Sequence, residues 1–276
     1  MKTRRTRRLS SAAAVAAVAI AWTVGGPARA EQAAGAAGQG PPPPRVSVTT
    51  TQLKPEMAAT WRDLIRTEGI PAFKKAGIPW RWVFATGPLG GQGFTYVTVT
   101  PIAKYAHFDE PSPIQRALGE GAAKYQAKLQ PTIVSTHTIV QTLIQNASIQ
   151  SVSSTPAPLV RVTTMQLLPG KGQEFAAITA SEFLPAFKKV GVTDYLVFAT
   201  SFGGSTLQRT IVTPVSKYAE LDAGGGGPLA RALGQEAALK INQRRGALTS
   251  DTQVTILRYI PELSYGVPAP PKTSSQ

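Results

Sequence analysis

The chain offers two imidazoles for acid–base or metal chemistry, His107 and His137, and it contains no cysteine. That inventory excludes disulfides, thiolate metal sites, a cysteine nucleophile and a lipoprotein anchor. Histidine-held zinc would lack partners, and no Gly-x-Ser-x-Gly elbow supports a Ser-His-Asp triad. The glycine-rich segment GPLGGQG (87–93) lacks phosphate-loop spacing and runs into a strand pattern, so it reads as a hairpin turn. No cofactor is therefore expected. Haem is a minor possibility, since a haem barrel needs an axial ligand and both histidines otherwise read as loop-edge or surface residues.

The remaining chemistry-bearing side chains are aromatic and cationic. Trp80, Arg81, Trp82 and Tyr96, with Tyr195 and Arg209, sit on apolar strand patterns and form, together with His137, the candidate ligand-binding set. Alternate residues of a strand point to opposite faces, and the sequence leaves both parities open. An apolar interior with a few polar groups would suit a small apolar or aromatic ligand, whereas large rings could equally fill the space. As an enzyme, the chain would need a polar group beside its substrate, and Tyr96, Arg209 or His137 could supply it. A third reading is a filled barrel with a structural or assembly role.

What must position these residues is an internal duplication. PAFKK occurs at 71–75 and at 185–189, an offset of 114 (185 minus 71). VSVTTTQLKP (46–55) matches VRVTTMQLLP (160–169), WVFAT (82–86) matches LVFAT (196–200), and VTPIAKYAHFD (99–109) matches VTPVSKYAELD (212–222). Length changes fall in glycine-rich turns, where homologous units tolerate them. Each copy reads as β-α-β-β-α-β, the ferredoxin-like order, with both helices on one sheet face. Period-two apolar residues mark the first strand. The first helix carries Met57, Trp61, Leu64 and Ile65, or Phe175, Ile178 and Phe187, on its buried side. The second helix spans about 113–129 or 228–244. A four-stranded sheet so covered leaves its other face apolar and bare, and two such sheets facing each other would bury both. The fold class expected is α+β, two tandem ferredoxin-like repeats packed face to face as an α/β barrel.

The boundaries follow from composition. Residues 1–30 read as a signal peptide, with a basic start, an Ala-rich apolar stretch and a small-x-small site at Ala28–Ala30. Residues 31–44 are a Pro/Gly/Ala tether, 45–146 the first repeat, 147–158 a linker, 159–265 the second repeat and 266–276 a tail. Six of 29 basic residues and none of 15 acidic ones lie in 1–30, so the chain after Ala30 carries 23 − 15 = +8. Its Lys and Arg are scattered, which points to a solvated surface and away from nucleic acid. An exported, periplasmic or extracellular protein without a membrane span is expected, with homo-oligomer formation as a partner option.

The tandem ferredoxin-like pattern resembles the dimeric α/β-barrel superfamily, which includes antibiotic-biosynthesis monooxygenases, chlorite dismutases, haem-degrading monooxygenases and NIPSNAP proteins. Leu167, Pro169, Gly170 and Lys171 are similar to the NIPSNAP opening, and the first copy keeps Leu53 and Pro55. Thr163 and Met165, or Thr49 and Thr51, stand where that opening usually has Arg and Tyr. The resemblance implies a barrel whose interior is the site, and a cofactor-independent oxygenase or isomerase as its enzyme reading.

Overall fold

The computed structural model describes residues 44–150, 156–222 and 227–266. The expected signal peptide, all of the tether but Pro44 and all of the tail but Gly266 lie outside the described residues. In chain order the elements are β1 (Arg45–Leu53), α1 (Ala58–Leu64), α2 (Ile70–Lys75), β2 (Trp82–Thr86), β3 (Thr95–Pro101), α3 (Pro113–Leu118), α4 (Gly121–Leu129) and β4 (Ile133–Leu143). The second half repeats them as β5 (Leu159–Leu167), α5 (Gly172–Ile178), α6 (Leu184–Lys189), β6 (Leu196–Phe202), β7 (Gln208–Val215), α7 (Gly227–Leu233), α8 (Gln235–Gly246) and β8 (Thr249–Tyr259).

The eight strands close into one antiparallel barrel in the order β1-β3-β2-β8-β5-β7-β6-β4. Instead of two separate sheets meeting face to face, the halves join edge to edge. Phe84–Thr86 pairs with Leu257–Tyr259, and Val140–Leu143 pairs with Phe198–Phe202. Closure removes sheet edges at these junctions and leaves an enclosed interior.

The duplicated PAFKK has a local cause. Pro71 and Pro185 lie inside the first helix of each half, where proline removes a backbone donor and crowds the preceding turn. Each is preceded by one wide turn, Ile65–Gly69 or Thr179–Phe183, with π-helical bonding that accommodates it. The expected second helix is two helices in each half. Gly119 at φ 54° and Gly234 at φ 85° separate them, conformations that side chains other than glycine resist.

Helices cover the outside of the barrel and make its two large cores. One gathers Phe175, Phe183, Phe187 and Val197, and the other Leu53, Trp61, Ile65, Val83 and Tyr96. Each core also takes a hook from the opposite half. Ala147, just past β4, belongs to the Phe175 core of the second half, while Leu263, just past β8, belongs to the Leu53 core of the first half, and both are 0% exposed. Backbone pairing fixes the hooks: Ile144 N–H donates to Val197 O and Ile260 N–H to Val83 O, each at 2.8 Å. At the start of the expected linker, Ala147 is buried in the second half's core and Ile149 bridges Tyr195.

Candidate functional site

The barrel interior is a cavity of about 1410 Å³, larger than the roughly 300–1,000 Å³ of ordinary small-molecule pockets. Strand periodicity decides its lining. Even-numbered residues of β1, β2, β5, β6 and β7 and odd-numbered residues of β3, β4 and β8 face it. Pairing registers arrange them in matched rows. Phe84, Val97, Thr50 and His137 are successive cross-strand partners in the first half, and Phe198, Thr210, Thr164 and Gln253 in the second. His137 therefore corresponds to Gln253 in the second half.

The row toward the start of β1 and β5 is apolar: Trp82, Val99, Val48 and Ile139 in the first half, Leu196, Val212 and Val162 with Thr255 in the second. Phe84, Val160 and Leu257 form a cluster on this wall with Trp82 and Tyr259 around it, and Phe84 lies 5.6 Å from Tyr259 between ring centroids. The row toward the β2–β3 and β6–β7 hairpins is amide and hydroxyl: Gln52, Thr95, Thr86 and Ser135 on one side and Gln208 on the other.

The mouth at the apolar end is framed by Trp80, which is 8% exposed and 5.0 Å from Trp82 between ring centroids, and by Ile102, His107 and Arg116. Its cations are engaged. Arg45 lies 4.8 Å over the Tyr105 ring, and Arg116 pairs with Glu110 at 3.2 Å. Apart from Arg45 at the first position of β1, His137 is the one titratable side chain among the strand residues lining the cavity.

Of the seven candidate residues, the structure brings Trp80, Trp82 and His137 to the cavity and places Arg81, Tyr96, Tyr195 and Arg209 outside it, against the helices. Arg81, 3% exposed, donates to Leu263 O at 2.6 Å and to Thr98 Oγ1 at 3.3 Å, tying down the hook. Burial lowers its pKa to about 10. Tyr96 packs against Trp61 with ring centroids 4.7 Å apart and the planes tilted, and burial raises its pKa. Tyr195 accepts from Arg245 Nη1 at 2.9 Å and packs on Phe187, burial again raising its pKa. Arg209 donates to the carbonyls of Thr206 and Gln208, and burial lowers its pKa. These shifts come from packing in the helix layer, so they carry no catalytic meaning for the interior. Of Tyr96, Arg209 and His137, His137 alone stands where a substrate in the barrel could meet it. The Leu167–Lys171 motif is a strand-to-helix turn whose lysine pairs with Glu174 at the surface.

Residue-type reasoning left Phe84 and Phe198 out of the candidate set, while His107, read as loop-edge or surface, is exposed at the mouth. The same reasoning also missed Gln141, whose Nε2 donates to Thr210 Oγ1 at 2.7 Å between the two halves. Once Trp82 points inward, period two assigns Phe84 to the interior, and the repeat assigns Phe198.

No protein-family model matches the chain, and no curated protein matches it in sequence. Solved structures do share the fold. A protein from Lactobacillus acidophilus NCFM provisionally described as a monooxygenase matches at TM-score 0.50 and 8% identity, over 82% of this chain and 98% of its own. A similarly described protein from Fusobacterium nucleatum subsp. nucleatum ATCC 25586 gives TM-score 0.52 and 9% identity, over 79% and 93%. An anthrone oxidase-like protein gives 0.51 and 10%, over 79% and 91%. At such identities the likeness is one of fold: the chain is an α+β barrel of eight antiparallel strands. Among the described residues no helix is long and apolar enough to cross a membrane.

Proposed function

We propose that the chain is an exported protein built of two tandem ferredoxin-like units, and that its barrel binds a small, uncharged apolar or aromatic molecule. The observation that carries this reading is the cavity wall itself. Phe84 and Phe198 face the space from β2 and β6, which stand opposite each other in the strand order, with Trp82 beside the former. The strand residues of the wall include no carboxylate or lysine, which favours neutral ligands, because an unpaired ion would be desolvated there. Export of residues 31–276 to a bacterial periplasm, gentle purification and native mass spectrometry with an absorption spectrum test it. Added mass or a chromophore band is expected, and an interior solidly filled by side chains in a solved structure would overturn it.

A second reading, a cofactor-independent oxygenase or isomerase, is favoured by the monooxygenase descriptions of two fold neighbours and by the place of His137. In it, His137 holds or moves a proton at a ring nitrogen beside the bound molecule. Loss of turnover of an identified substrate in His137→Phe with binding retained is the expected result; unchanged turnover sinks the assignment. Haem fits this interior poorly. His137 could offer an imidazole to the iron, but the cations that could meet the propionates are engaged, Arg45 over the Tyr105 ring and Arg116 with Glu110. A homo-oligomer would use the exposed ring cluster Tyr105, Phe108 and Phe202, and a monodisperse monomer in light scattering would oppose it.

A further inference from the structure

Some polar groups on the cavity wall are already bonded within the protein; of those that are not, Ser135 and Gln208 stand toward the hairpins, Thr255 stands in the apolar row, and the rest share one level. Gln52 bonds Thr95 Oγ1 and Gly93 O, Thr86 donates to Gln92 O, and Gln141 donates to Thr210. Among the described residues the side chains of Thr50, His137 and Thr164 have no hydrogen-bond partner, and Gln253 spends one amide hydrogen on Asp251 with its Oε1 unengaged. Thr50 and His137 are direct cross-strand partners, as are Thr164 and Gln253, so the members of each pair lie within one ligand group's reach. β1 lies four strands from β5 around the barrel, and β4 four from β8, so the two pairs face each other from opposite walls. They lie in the matched rows that also hold Phe84 and Phe198.

We infer that the ligand is an uncharged molecule with an apolar, ring-sized body and hydrogen-bonding groups on two opposite edges, one met by Thr50 and His137 and the other by Thr164 and Gln253. This rests on the binding reading above and adds the pattern of the ligand. Two pairs at equivalent heights on facing walls recognise two groups across one body. A single polar head would need only one of them. Exposure inside a roomy cavity lets water satisfy these groups while the barrel is free of ligand, and a matching ligand replaces that water without leaving them unpaired. A ligand lacking either group strands one pair against an apolar surface, which is how hydrogen-bonding sites discriminate.

The test compares naphthalene, naphthol and a naphthalenediol with hydroxyls on opposite rings, by equilibrium dialysis against the intact chain after Ala30. The diol should bind about tenfold or more tighter than naphthalene, with naphthol between, as two net hydrogen bonds of about 1 kcal/mol each imply. Thr50→Val and Thr164→Val remove one hydroxyl each at nearly constant shape. Each should lower diol affinity about fivefold and leave naphthalene unchanged, a control that also reports an intact barrel. Equal binding of all three by the unmodified chain overturns the two-edge pattern while keeping the binding reading. Discrimination that survives both substitutions overturns the assignment to these rows. Failure of all three to bind removes the binding reading itself.

Discussion

The backbone N–H of Ile260, in the second half of the chain, donates to the carbonyl of Val83 in the first at 2.8 Å. Ser264 Oγ then accepts from Val83 N–H at 2.9 Å, and Arg81 clamps Leu263 O. Ile144, Ser148 and Val197 repeat the backbone arrangement in the other direction. Each half thereby supplies a buried residue to its neighbour's core, and duplication becomes mutual dependence.

Leu263→Ala should therefore destabilise the first half's core from a distant stretch of sequence. Loss of a fully buried leucine costs about 2–5 kcal/mol, part transfer and part cavity. Urea denaturation should show a lowered midpoint, with the fluorescence of Trp61, in that core, reporting the same transition. A change within error would show that the hook is peripheral.

The hairpin after β6 lies against the edge of β4. Gly203 has φ 78°, and a Cβ there would stand 2.2 Å from Thr138 O. Gly203→Ala must move the loop off that edge, at about 1–3 kcal/mol of strain, and expose unpaired strand backbone. Greater concentration-dependent association in light scattering is expected, whereas an unchanged monodisperse species would contradict this account of the loop.

Burial holds the phenols of Tyr125 and Tyr265 at about 12, above their ordinary 10.0. The native state thus keeps these protons more tightly than the unfolded chain, so their contribution is full below pH 10 and is lost as pH rises through 12. Arg81, lowered from 12.5 to about 10, acts with the opposite sign over that window. Two phenols outweigh one guanidinium, so thermal stability should fall between pH 10 and 12. Tyr265 Oη is buried without a partner, so Tyr265→Phe strands no group and should flatten that fall without weakening the protein at neutral pH. A fall as steep in Tyr265→Phe would refute the attribution.

The repeat made the element order legible, because PAFKK and the flanking strands align with shifts confined to turns. Strand parity was not legible, since a barrel strand under helices is buried on both sides. Val83 packs outward into a core while Trp82 and Phe84 face inward, so the usual alternation disappears. Selecting conspicuous residues therefore mixed the two faces, taking Arg81 and Tyr96 along with Trp82. The reverse error hid Thr50 and Thr164, which look like any strand threonine until the hydrogen bonds around them are assigned. Gln253 escaped because the last strand is offset from β4 by 116 (253 minus 137), beyond the offset that the first strands suggest.

The central claim is that the interior is hollow and receives an aromatic body. Crystals of the chain after Ala30, soaked in bromonaphthalene and measured at the bromine edge, test it most directly. An anomalous peak inside the barrel between Phe84 and Phe198 is predicted. An interior closed by side chains, with bromine absent or found only on the outer surface, would contradict it.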